Sequence, residues 1–290
     1  MGTVQNKLSP ITWKDYEDAV YEECQRVYHF REAEIIKNTH ILGKYSGVKR
    51  QIDVLVRLKA DDKSISSIVF ECKHYSKKIN VKIVDSFIGC LVDVGVEKGI
   101  LVSEKGFTKA AINRAHKGKD NIEVDILSLG EFEQFQSQGA IPYAGDSALT
   151  LSAPFGWIID GKKRDFTPAV LYRRGIPFDE VTVKEKEWMY VQFWSKESEI
   201  DTLENLIEAQ NKSLQDIDER AEINILEIDG LKVRQAFIPS YPTPEITVFR
   251  EFEWFIAFVV LFCPKCYIER DTMKVVAMLK EALPIHVKQM

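Results

Sequence analysis

The stretch SIVFECKHYSKK, residues 67 to 78, decides how this chain is read. Ser67 to Phe70 run as a strand entering a core, yet an acid and a base, Glu71 and Lys73, follow where that strand should still be buried. Side chains alternate along a strand, so residues two apart share a face. Charges are costly to bury unless they are paired or bound, and an acid and a base placed there imply a site.

Working outward, TWKDYEDAVYEECQRV carries Trp13, Tyr16, Val20, Cys24 and Val27 at helical spacing behind Thr12 as a cap. EAEIIKNTHIL and RQIDVLVRLK flank GKYSG as a hairpin, and SIVFECK follows a polar turn as a third strand. KIVDSFIGCLVDVGV has helical periodicity, KGILVS reads as a buried strand of the parallel kind, and FTKAAINRAH is a second internal helix. IEVDILSL as a strand and LGEFEQFQ as a short helix close the unit. The expected fold class is therefore α/β: a mixed sheet flanked by helices in the order α-β-β-β-α-β-α-β, followed by a second, α+β domain.

Asp53 lies in the second strand, expected on the same side as Gln51 and Leu55. If the second and third strands are neighbours, Asp53, Glu71 and Lys73 converge. Nearby buried carboxylates repel one another, and a divalent cation makes such a cluster tolerable. Oxygen ligands select Mg²⁺ or Mn²⁺ over zinc.

These residues resemble the PD-(D/E)xK nuclease signature, with Asp53 followed by Glu71-Cys72-Lys73. The surroundings YEDAV, GVKRQIDVLV, ECKHY and KGILVSEKGFTKAAINRA resemble its Mrr-type restriction endonuclease branch over roughly residues 12 to 136. Ile52 stands where the signature names proline. The resemblance implies a restriction-endonuclease-like core that hydrolyses DNA. It implies that Asp53, Glu71 and the Cys72 carbonyl hold Mg²⁺, with Mn²⁺ able to substitute. It also implies that Lys73 orients the attacking water or steadies developing charge, and that Glu17 on the first helix extends the metal site. Lys77, Lys78, Lys105 and Lys109 would contact the DNA backbone. The bland alternative for Asp53 and Glu71 is a structural ion pair with Lys73 or Arg50. His74 and Tyr75 read as aromatic packing beside the strand end; Ser103 and Thr108 are candidates for phosphate at the start of the next helix, with Thr108 reading first as an ordinary helix N-terminal residue.

Residues 1–150 hold 21 Lys/Arg against 21 Asp/Glu, and residues 151–290 hold 18 against 23, so the whole net charge of −5 falls in the second half. The first half is the expected DNA partner, and the acidic second half a protein partner. A change of character in QSQGAIPYAGDSALTLSAP puts the boundary near 145, giving a nuclease domain at 1–145 and an accessory domain at 146–290. In the latter, EWMYVQFW reads as an aromatic core strand, ESEIDTLENLIEAQNKSLQDIDER as a helix, EINILEIDGLKVRQAFI as a hairpin turned at Asp229-Gly230, and RDTMKVVAMLKEAL as a closing helix. The odd set of five cysteines suits reduced thiols, and CPKC at 263 to 266 is half a zinc knuckle without a second half. The longest apolar run, FEWFIAFVVLFC, falls short of the ~20 residues that span a bilayer. No basic and apolar leader opens the chain, so the expectation is a cytoplasmic protein with no membrane partner.

The expected activity is a Mg²⁺-dependent endodeoxyribonuclease serving restriction or defence against foreign DNA. It would work as a homodimer, since two strands need paired cuts. A junction-type nuclease, or a non-catalytic DNA- or protein-binding module on the same core, remains open.

Overall fold

The computed structural model describes residues 12–28, 33–59, 65–118, 121–128, 139–160, 164, 167–181 and 187–286. In the first half, α1 (Trp13–Val27), β1 (Ala33–Leu42), β2 (Lys49–Lys59), β3 (Ile65–Lys73), α2 (Val81–Val94), β4 (Lys98–Ser103), α3 (Lys109–His116) and β5 (Glu123–Ser128) follow in the expected order. The short helix expected over residues 129–136 lies outside the described residues.

Local chemistry sets the element ends. Thr12 and Asp15 form a reciprocal capping box at the start of α1, and Tyr16, Val20 and Cys24, four apart, form its buried stripe. Asn80 accepts from the Lys82 and Ile83 N–H groups to open α2, which Gly95 ends in the left-handed conformation at φ 71°.

The five strands form one sheet in the order β1-β2-β3-β4-β5. β1, β2 and β3 pair antiparallel, while β3, β4 and β5 pair parallel through the α2 and α3 crossovers. Val69, Leu101, Val124 and Ile126 share a core with Val84, Phe87 and Leu91 of α2 and Ala111 and Ala115 of α3. α1 packs across β1, β2 and β3. The sheet therefore places its strand ends between helices, with the ExK segment at the end of its central strand.

The chain divides into two compact units, 1–135 and 136–290. This corrects the expected boundary near 145. Gly139–Ala140 pairs with Leu151–Ser152, and Tyr143–Ala144 with the strand Ser147–Leu149, so the Gly- and Ser-rich stretch is part of the second unit and not a linker.

The second unit is dominated by a seven-stranded antiparallel sheet. Alternate residues of its central strand Phe255–Phe262 face opposite ways. Ala257, Val259 and Leu261 join Val275, Val276 and Leu279 of the helix Ile268–Glu281, and Phe258 and Val260 join Leu203, Leu206 and Ile207 of the helix Leu203–Ile217. Asp229 and Gly230 turn the hairpin at φ 52° and 79°, as a type I′ turn requires. The aromatic strand Trp188–Ser195 is internal to the sheet: Trp188 stacks on Phe262 at 4.8 Å, and Trp194 Nε1 donates to the Ile200 carbonyl at 2.8 Å. Cys263 is buried and Cys266 exposed. No described helix is long and apolar enough to cross a membrane.

Candidate active site

β2 and β3 are hydrogen-bonded neighbours from Lys59↔Ile65 to Val54↔Phe70, and there the ladder stops. The next position in that register would set Asp53 opposite Glu71. Instead the Cys72 N–H, free of a backbone partner on β2, donates to Asp53 Oδ2 at 2.7 Å. From Glu71 onward β3 is paired on its other side, with Leu101, Val102 and Ser103 of β4. The two acids thus flank a gap where one strand pair has parted.

An irregularity on β2 coincides with that gap. Ile52 and Leu55, three apart, both enter the core beneath α2, so simple alternation is interrupted at Asp53 and Val54. The residue across from Asp53 in the β1–β2 register, Asn38, has φ 50°. The expectation that Asp53 shares a face with Leu55 is therefore corrected, because the strand turns over between them.

Electrostatics tie four expected site residues together. Burial raises the Asp53 carboxyl above its ordinary range, against the Cys72 N–H and the charge of Lys73, which lower it. Burial likewise raises Glu71, opposed by the charge and hydrogen bond of Lys73. Glu17 on α1 is raised by burial and next by the charge of Asp53, with Glu71 adding to it, so it feels the same two acids. Lys73 and Glu71 form a close ion pair. Burial alone would lower the Lys73 ammonium; Glu71 outweighs it and the pKa rises.

The basic residues divide. Lys77 and Lys78 are exposed on the loop after β3 and, with His74, Tyr75, Ser76 and Asn80, line an open cavity of about 480 Å³. Lys105 sits on the loop after β4, paired with Glu104 at 2.5 Å, and Lys109 is the first, exposed residue of α3. The two loops are tied by Ile79 N–H to the Gly106 carbonyl and Thr108 N–H to the Ile79 carbonyl, both at 2.9 Å. They lie beyond the carboxyl ends of parallel strands, where open α/β sheets form ligand crevices.

The other candidates make structural contacts. The Ser103 hydroxyl is buried and donates to the Gly106 carbonyl, and Thr108 accepts from Ala111 N–H as the cap of α3, so both serve the loop. Arg50 pairs with Asp93 at 2.7 Å rather than with Asp53 or Glu71. His74 Nδ1 lies 2.9 Å from Glu104, with its ring 6.0 Å from that of Tyr16. The sequence reading missed Glu104 and Asp93. The signal for Asp93 was a lone acid in the apolar run IGCLVDVGV of α2.

Among the described residues, no three His, Cys, Asp or Glu side chains stand together as a ready metal cage. Mg²⁺ does not need one, since it keeps several waters and takes one or two protein carboxylates. Asp53 and Glu71, both held above their ordinary range by burial, are such a pair of oxygen donors, and a cation would offset the cost of ionising them. The donor set fits a hard divalent cation.

No curated protein matches the chain. The solution structure of cyanobacterial PsbP (CyanoP) from Synechocystis sp. PCC 6803 is 11% identical over 48% of this chain and 86% of that one, with a TM-score of 0.30, which bears on neither fold nor function. Residues 11–134 match the restriction endonuclease family model Mrr_cat. That span takes in α1, the parted β2–β3 ladder with Asp53, Glu71 and Lys73, and the two basic loops. The N-terminal half of the chain therefore carries a restriction endonuclease domain of the Mrr type.

Proposed function

We propose that the protein is a divalent-metal-dependent DNA endonuclease that cuts phosphodiester bonds in restriction or defence. The observation that carries the reading is the parting of β2 and β3 between Asp53 and Glu71, with Lys73 paired to Glu71 at the rim. Asp53, Glu71 and the Cys72 carbonyl would hold Mg²⁺, and Glu17 would add an acid from α1. When bound, the ion supplies phosphoryl polarisation and a lowered pKa for a coordinated water. Asp53 and Glu71 fix the ligand positions from two adjacent strands. Lys73, held by Glu71 in the free protein, is placed to turn to the scissile phosphate, steady its developing charge and align the water. Lys77 and Lys78 take backbone phosphates at the mouth of the adjoining cavity, and Lys105 and Lys109 extend that grip along the next loop and helix. A homodimer would set two such sites on the two strands of a duplex, and the acidic second unit would serve a protein partner.

The test is purified protein with Mg²⁺ or Mn²⁺ against unmethylated, methylated and four-way-junction DNA. Cleavage of linear duplex supports the proposal, and cleavage of the junction alone redirects it to a structure-specific nuclease. No metal-dependent cleavage of any of the three would defeat it.

A further inference from the structure

The β1–β2 hairpin ends in a turn that is pinned and yet apolar on its outer side. Asp93, 4% exposed near the end of α2, receives the N–H groups of Tyr45 and Ser46, the Ser46 hydroxyl and Arg50 Nε at 2.6 to 3.1 Å. Its own carbonyl accepts from Lys44 N–H at 2.6 Å. Gly43 has no room for a side chain, since a Cβ there would lie 2.3 Å from Asp93 Oδ2. Surface turns are ordinarily mobile and polar. This one is anchored to a helix, and it presents Tyr45 at 80%, Leu42 at 63% and Val48 at 57% exposure.

That prominence is continuous with the active site. Lys49 and Gln51 alternate with Asp53 along β2 and are exposed, and His40, paired across from Gln51, is exposed beside them. Lys49 has no ion pair among the described residues. Lys44 folds back, its ammonium lying against Gly95 at the end of α2. At about 3.3 Å per strand residue, Lys49 stands roughly 13 Å from Asp53, or about four base-pair steps of DNA.

We propose that the β1–β2 tip is a wedge for duplex DNA: Lys49 takes a phosphate about four base pairs from the cut, and Leu42, Tyr45 and Val48 enter the minor groove at and beyond that point. The partner is DNA rather than a second copy because the exposed charge flanking the apolar tip, Lys49, is cationic and lies on the strand that carries Asp53. Apolar side chains pushed between base steps bend the duplex, and a rigid support is what that work demands. The inference rests on the DNA-cleaving reading above.

The test uses full-length protein and a duplex of about 30 base pairs with dyes at its ends, in Ca²⁺ to hold back cleavage. Tyr45→Ala should weaken binding five- to tenfold and reduce the end-to-end shortening that reports bending, without changing the salt slope. Lys49→Ala should lower the slope of log affinity against log salt by about 0.9, one phosphate contact. Tyr45→Ala that binds and bends DNA as the wild type does overturns the wedge while leaving the nuclease reading intact. A shift of Tyr45→Ala to a smaller species on a sizing column, with DNA affinity unchanged, overturns it in favour of contact between copies. A wild type that binds no duplex and cuts none with Mg²⁺ defeats both readings together.

Discussion

Asp53 Oδ2 accepts a 2.7 Å hydrogen bond from the backbone N–H of Cys72, across the point where β2 and β3 cease to pair. One carboxylate thereby replaces a ladder hydrogen bond and stands beside the chain that supplies the proposed carbonyl ligand. The Asp53 side chain thus bridges the gap between the two strands.

Replacing Asp53 separates these duties. Burial raises its pKa, so ionisation at neutral pH costs stability, and Asp53→Asn, which keeps an acceptor for the Cys72 N–H, should be at least as stable as wild type in EDTA. That advantage should vanish below about pH 4, where the unfolded carboxyl is protonated too. Asp53→Ala leaves the N–H unsatisfied and should cost about 1 kcal/mol. Added Mg²⁺ should raise the melting temperature of wild type and of neither variant, as calorimetry would read.

Lys73→Ala removes the partner of Glu71 at a site where both side chains are about one-fifth exposed. Breaking a fully buried pair costs 3–5 kcal/mol, and partial exposure reduces this to about 2 kcal/mol. Denaturant unfolding without metal should show that loss. Mg²⁺ should recover part of it, because the cation takes over the neutralisation of Glu71.

Asp93 gives the pH signature of the hairpin anchor. The Ser46 hydroxyl and N–H and the Arg50 guanidinium hold its carboxyl well below the ordinary range. A lowered native pKa contributes stability that is full above the unfolded value near 4 and is lost as pH falls toward the folded one. The melting-temperature gap between wild type and Asp93→Asn should be constant from pH 5 to 8 and narrow below about pH 4. A gap that holds its size down to pH 2 would show that charge on Asp93 is not what anchors the turn.

In the second unit, buried Arg234 meets Glu245 at 2.8 Å, Thr247 at 2.9 Å and Gln210 at 2.9 Å. Arg234→Ala strands Glu245 in the sheet and should destabilise this unit by about 3–5 kcal/mol. Its unfolding, followed by tryptophan fluorescence, should move to lower denaturant. An unchanged midpoint would mean that water reaches Glu245.

The nuclease half was legible because its signals are local. The Thr12 cap, the period of α2 and the apolar run of β4 each declare one element, and Glu71 and Lys73 mark a candidate site as charges at the end of an apolar strand. What escaped depends on contacts distant in sequence. Nothing near Asp93 announces that it will bind a turn 47 to 48 residues earlier, and nothing near Asp53 reveals that alternation breaks beside Asn38. The boundary near 145 went wrong for a similar reason: a Gly- and Ser-rich stretch reads as a linker until Leu151–Ser152 pairs with Gly139–Ala140. The seven-stranded sheet was underread because strands such as Glu245–Glu251 gain their identity from neighbours and not from a motif.

The most direct measurement is cleavage of an end-labelled duplex by wild type and Glu71→Gln, with Mg²⁺ and with EDTA, at equal folded fraction. Glu71→Gln keeps the shape of the strand end and removes the negative charge. The account predicts cutting by wild type with Mg²⁺ and none in EDTA, with the variant slowed at least about a hundredfold. Equal rates for the two proteins, or a wild-type rate untouched by EDTA, would contradict the assignment of the parted β2–β3 ladder as the catalytic centre.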